Sequence, residues 1–194
     1  MSFRILFPFV LLATLPAQAS IAAETVALPR FEEIGLRGGG TVVIRAGPVQ
    51  RVTLVEGSSS QTGLRVEPNG QSGAGRLVID ACKSRCPSGY RLRIEIVTPD
   101  ISAVAVNGGG RIDVAVGFKP RRHVAAAVNG GGQIDLRAFP ARDVAAAVNG
   151  GGRLQVMATG SLAASVNGGG AIHYWGDPQV ASSIRGGGAV TKGR

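Results

Sequence analysis

The run HVAAAVNGGGQIDLRA, His123 to Ala138, decides how this chain folds. Apolar side chains fall on alternate positions: Val124, Ala126 and Val128, then Ile134 and Leu136 beyond the triplet Gly130-Gly131-Gly132. The positions between carry Ala125, Ala127, Asn129, Gln133, Asp135 and Arg137. A period of two is that of a strand with one buried face. The alanines alone favour helix. Closely spaced glycine triplets prevent long helices, because glycine loses the most backbone freedom on ordering.

The pattern repeats on either side. Val106-Asn107-Gly108-Gly109-Gly110 recurs as Val128 to Gly132, Val148 to Gly152 and Val166 to Gly170. A last copy, Ile184 to Gly188, has Arg185 in the asparagine place. Successive copies are offset by 22, 20, 18 and 18 residues. With the outlying Leu36-Arg37-Gly38-Gly39-Gly40, the triplets hold 18 of the 30 glycines. A repeat of two short strands and a turn cannot bury its apolar face alone, whereas stacked copies share one core. The expected fold is therefore all-β: a right-handed parallel β-helix, or solenoid, with 18–22-residue rungs over residues 101–194. Stacking places Asn107, Asn129, Asn149 and Asn167 in a ladder of side-chain amides. Residues 25–100 have strand-like runs without the repeat and are expected to form a more irregular β half.

Composition narrows the class further. In 194 residues the hydrophobic share is 44%, too high for a disordered chain. Two cysteines exclude a disulfide-dense scaffold, and two histidines leave little for a metal centre. No metal or cofactor is expected. The formal net charge is +9 and aromatics make up 5%. Residues 1–19 read as a signal peptide: Arg4, then an apolar run from Ile5 to Leu15, then Ala17-Gln18-Ala19 as a small-x-small cleavage site. No other apolar stretch is long enough for a membrane helix. The expectation is an exported protein, periplasmic, surface-bound or secreted, with residues 20–194 as one domain.

Several segments together carry a family resemblance. Phe31-Glu32-Glu33-Ile34 leads into a glycine-containing strand, and a middle strand ends in Thr98-Pro99. The glycine repeats follow, then Ile172-His173-Tyr174-Trp175-Gly176-Asp177-Pro178 and Ile184-Arg185-Gly186-Gly187-Gly188-Ala189-Val190. From about Phe31 to Gly193 the sequence resembles the GIN-type domain family of putative autotransporter adhesin heads. The resemblance implies an exported all-β domain of cell-envelope proteins with parallel β-helix character. It brings no catalytic residues. The chain departs from the family pattern in having NGGG where SGAG is frequent, and in its cysteine pair.

Candidate chemistry is sparse. Cys82 and Cys86 frame a polar turn and are expected to form a structural disulfide in an oxidising compartment; a redox pair beside Lys83 and Arg85 is the alternative. Asp113 and Asp135 hold equivalent repeat positions, as a glycosidase carboxylate pair would. The calcium-binding nonapeptide is excluded by register, since both aspartates lie three residues after the last glycine rather than two. Phe118 and Phe139 begin equivalent variable connections, Tyr174 and Trp175 lie close to the same side, and Lys119, Arg121, Arg122 and Arg142 are on those loops. That combination suggests a basic aromatic ridge for an anionic glycan or another envelope component. No nucleic-acid motif is present. The leading expectation is a non-enzymatic, adhesin-like binding module. The alternatives are a self-assembling structural solenoid and a polysaccharide-degrading enzyme using Asp113 and Asp135.

Overall fold

A computed structural model describes residues 23–68 and 74–193. The signal-peptide reading falls on residues outside this range. The chain is all-β, with no helix among the described residues and thus none to cross a membrane. It forms one strongly curled open sheet, a half-barrel in section. Eleven strands follow one another across it, and four more continue from its repeat half.

The glycine triplets organise this sheet into two parallel columns. The first contains β8 (Ala103–Gly108), β10 (Arg121–Gly130), the end of β11 (Gln133–Asn149), the end of β12 (Arg153–Asn167) and β14 (Gln179–Arg185). The second contains β9 (Arg111–Val114), the starts of β11 and β12, β13 (Ala171–Trp175) and β15 (Ala189–Lys192). Because β11 and β12 run through both columns, the sheet is continuous. Equivalent residues pair across copies: Val106, Val128, Val148, Val166 and Ile184 lie side by side, as do Asn107, Asn129, Asn149, Asn167 and Arg185.

The period-two pattern becomes a period-two burial. Val128, Ile134 and Leu136 are buried while Asn129, Gln133 and Arg137 are exposed. Each fully buried Val, Leu or Ile contributes about 1.5–3 kcal/mol, and the stacked columns give every copy a share of one core. The first glycine of every triplet has φ between +93° and +125°, a conformation other residues rarely adopt.

The irregular half joins the same two columns. β2 (Phe31–Gly38) pairs in parallel with β8, and β3 (Thr41–Ala46) pairs with β9, so the outlying triplet Gly38–Gly40 sits in register with the others. Beyond them lie β6 (Gly75–Asp80) against β2 and β7 (Arg93–Thr98) against β3, again parallel. Here the corner is not a glycine triplet but residues 81–92, which contain the Cys82–Cys86 disulfide. Ala81 N–H donates to the Arg37 carbonyl and Thr41 N–H to the Leu92 carbonyl, fixing that loop at the corner. The remaining strands run the other way. β4 (Arg51–Glu56) is antiparallel to β7, β1 (Glu24–Val26) to β4, and β5 (Gly63–Glu67) to β6.

Candidate functional site

The corner bearing Phe118 and Phe139 is built differently from the ridge expected. Both rings are buried, and they pack edge to face with centroids 5.1 Å apart at 66°. They plug the corner of the core and present no face to a ligand, which corrects the reading of these two residues as a binding ridge. Arg121 is also committed. It forms ion pairs with Glu32 at 3.2 Å and Asp100 at 2.8 Å, and its Nε donates to the Ile101 carbonyl at 3.1 Å. It clamps β2 to the segment before β8. Lys119, Arg122 and Arg142 are exposed, with the Arg142 stem lying over Gly160. Tyr174 packs on the core. Half-buried Trp175 carries the Arg137 guanidinium 5.4 Å from its ring centroid. The structure therefore does not gather the eight expected residues into one surface.

The carboxylates on the second column are paired too. Asp113 and Asp135 are register partners, and each is held by an arginine of its own strand. Arg111 Nε donates to Asp113 at 2.7 Å. Arg137 donates to Asp135 from its backbone N–H at 3.0 Å and its guanidinium at 2.7 Å. For Asp135 the largest single influence, partial desolvation, pushes its pKa upward. The hydrogen bonds and charge of Arg137, with the Arg111 charge behind them, outweigh it and hold the carboxyl below the usual range. A glycosidase acid needs the opposite shift.

Sequence reasoning passed over the outer face of the first column. Its floor is two rows of small side chains: Ala103, Ala125, Ala145, Ala163 and Ala181, then Ala105, Ala127, Ala147, Ser165 and Ser183. They line an open trough of about 800 Å³. One wall is the asparagine row. Asn129 Nδ2 donates to Asn107 Oδ1 and Asn149 Nδ2 to Asn129 Oδ1, both at 2.9 Å. An amide has two N–H donors and two carbonyl lone pairs, so Asn129 keeps one of each for an outside partner. Beyond the Ala125 row the next outward row is polar and borders a second, smaller depression. Asp143 lies in register with His123 and Ser161; it accepts from Ser161 Oγ at 2.7 Å and faces His123 Nδ1 at 3.3 Å. The aspartate sits between serine and histidine, so no imidazole is placed to activate the hydroxyl. At the N-terminal end of the floor stands the Arg76–Glu33 ion pair, 2.6 Å. In the sequence this face is marked by the Ala-x-Ala-x-Asn alternation, the same pattern that sets the fold.

Residues 121–178 match the family model described as putative auto-transporter adhesin, head GIN domain. The matched segment spans β10 to β13, so the resemblance to that family stands on the repeats that build the trough. Among curated proteins, none matches the chain. Solved structures with similar arrangements include a putative adhesin from Bacteroides fragilis, 17% identical, covering 88% of this chain and 96% of that one, TM-score 0.49. A putative adhesin from Parabacteroides distasonis is 15% identical over 89% and 96%, TM-score 0.44. A putative lipid binding protein from the same species is 17% identical over 89% and 96%, TM-score 0.40. The family match suggests an adhesin-like protein of the surface or an exported one.

Proposed function

We propose that this chain is a non-enzymatic, adhesin-like binding module of the cell envelope, exported by a signal peptide at residues 1–19. Its ligand is an extended glycan or similar envelope polymer laid along the alanine trough. One observation carries this reading: a methyl-floored channel walled by an amide ladder whose members retain free donors and acceptors. Amides at the inter-strand spacing of about 4.8 Å suit a repeating chain of hydroxyl and amide groups. The floor suits the apolar faces of sugar rings. Exposed Lys119, Arg122 and Arg142 favour an anionic polymer through the long-range field rather than through contact.

The shape of the trough follows if the repeats are coils of a right-handed parallel β-helix with 18–22-residue rungs. Crossover connections between parallel strands are right-handed in about 98% of cases, which supports that hand. A crystal structure decides it. Binding is tested on a glycan array with Ala127→Arg plus Ala147→Arg, two outward changes that fill the channel. Loss of binding is expected, with retention in Lys119→Ala/Arg122→Ala/Arg142→Ala. Unchanged binding by the trough variant overturns the reading. Export is checked by the N-terminal mass of the secreted protein, which should begin at Ser20.

A further inference from the structure

We infer that the C-terminal end of the sheet docks a second copy of this chain, giving a closed two-fold dimer in which β14 pairs antiparallel with its counterpart. The repeat makes the incomplete end visible. Along one inward row, Val106, Val128, Val148 and Val166 are at most 1% exposed, and Ile184 is 45% exposed. In the next row Leu162 is 1% exposed and its register partner Val180 is 41% exposed. Among the described residues β14 pairs with β12 alone, so its other edge is open. An open edge with apolar side chains beneath it is a template for another strand.

The two ends of the sheet are not alike, and this selects the geometry. At the N-terminal end the antiparallel strands β1, β4 and β5 cover the parallel columns. A head-to-tail contact would set the free edge against β5 or β1 and would not continue the parallel columns, whereas the free edge against its own kind joins two equally incomplete cores. Such an isologous contact closes at two copies.

The sequence of β14 suits that contact. Gln179-Val-Ala-Ser-Ser-Ile-Arg185 is self-complementary about Ser182. A two-fold axis at Ser182 sets Val180 opposite the second copy's Ile184, and Ile184 opposite its Val180. Arg185 then meets Gln179, so no like charges face one another across the pair. Residues directly opposite in an antiparallel ladder lie about 4.5–5.5 Å apart and share a face. The four half-exposed apolar side chains would therefore meet on the inner side and extend the core through the interface.

The test is sedimentation equilibrium of the purified chain from micromolar to millimolar concentration, with two variants. A monomer–dimer equilibrium with no larger species is expected. Ser182→Cys should yield a disulfide-linked dimer under mild oxidation. Its register partner one copy inward, Ala164→Cys, should not. Ile184→Lys, at an exposed position that leaves the fold intact by circular dichroism, should weaken dimerisation by about tenfold or more. A monomer at all concentrations, open-ended growth, failure of Ser182→Cys to cross-link, or undiminished dimerisation of Ile184→Lys each overturns the inference. None of these readouts depends on a glycan ligand, so this inference and the binding proposal fail separately.

Discussion

The three glycines of one triplet should respond to alanine with opposite signs. Gly130 has φ +113°, and a Cβ there would lie 2.8 Å from the Gly108 carbonyl oxygen. Holding alanine in that conformation costs about 1–3 kcal/mol. A Cβ on Gly132 would meet Val106 Cγ1 at 2.5 Å and the Gly110 carbonyl oxygen at 2.7 Å. That is overpacking against the neighbouring strand, again about 1–3 kcal/mol. Gly131 lacks both constraints: nothing lies within 4 Å of its Cβ position. Alanine there restricts the unfolded chain and should stabilise by about 0.4–1 kcal/mol. At this chain length 1 kcal/mol moves Tm by about 2–4 °C. Gly131→Ala should therefore raise Tm by about 1–4 °C, and Gly130→Ala and Gly132→Ala should each lower it by about 2–12 °C. Calorimetry of the three single variants reads this directly. If Gly131→Ala is destabilised as much as Gly130→Ala, the assignment of distinct roles within the triplet is wrong.

Four further expectations follow from the packing and the charges. Phe139→Ala removes a buried ring from the Phe118 pair and should cost about 3–5 kcal/mol in chemical denaturation, against near-neutrality for a surface ring. Arg121→Met should cost about 1 kcal/mol, because Glu32 and Asp100 keep access to water once their partner is gone; no loss at all would mean the clamp is idle. The Asp135 carboxyl is held low in the folded state, so its contribution is complete above the ordinary aspartate value of about 3.9 and is lost as pH falls through the lower folded value. Denaturation curves of wild type and Asp135→Asn should then differ at neutral pH and converge below about pH 3.9, and a constant gap down to the acid limit would contradict this. Reduction of Cys82–Cys86 opens a very short loop, worth about 2 kcal/mol on chain entropy, so the reduced protein should melt a few degrees lower while remaining folded.

The repeat half was legible because one residue pattern does three jobs at once. The valine row, the asparagine row and the first glycine of each triplet recur at one register, and a one-residue slip would move Val128 to the outside. The N-terminal half gave no such signal. Its β2–β3 segment lies between β6–β7 and β8–β9, so the chain leaves the stack, adds β4 and β5 at the end, and returns beneath its own earlier strands. Neither that order nor the replacement of a glycine corner by residues 81–92 is written in local composition. The antiparallel strands alternate apolar and polar residues just as the parallel ones do, as Val52 and Leu54 show, and alternation does not encode direction.

The candidate site failed at the corners for a related reason, which the register explains. Counting by twos inward from Leu136 puts Phe139 outside, and counting from Val114 puts Val116 inside. The structure has the reverse: Phe139 is 2% exposed and Val116 79%. Between Leu136 and Pro140 the pairing with β12 slips, since Leu136 faces Val156 and Pro140 faces Met157, leaving three residues of β11 without a counterpart. A second slip between Ala141 and Asp143 leaves one more residue on β12 than on β11. The net excess of two residues is the difference between a 20-residue copy and an 18-residue one. Repeat length is thus adjusted at this corner, and bulged backbone re-aims side chains. Alternation remains a sound guide to which side chains face out between corners, which is where the alanine trough lies. At the corners it carries no information about facing, and the expected aromatic ridge falls there.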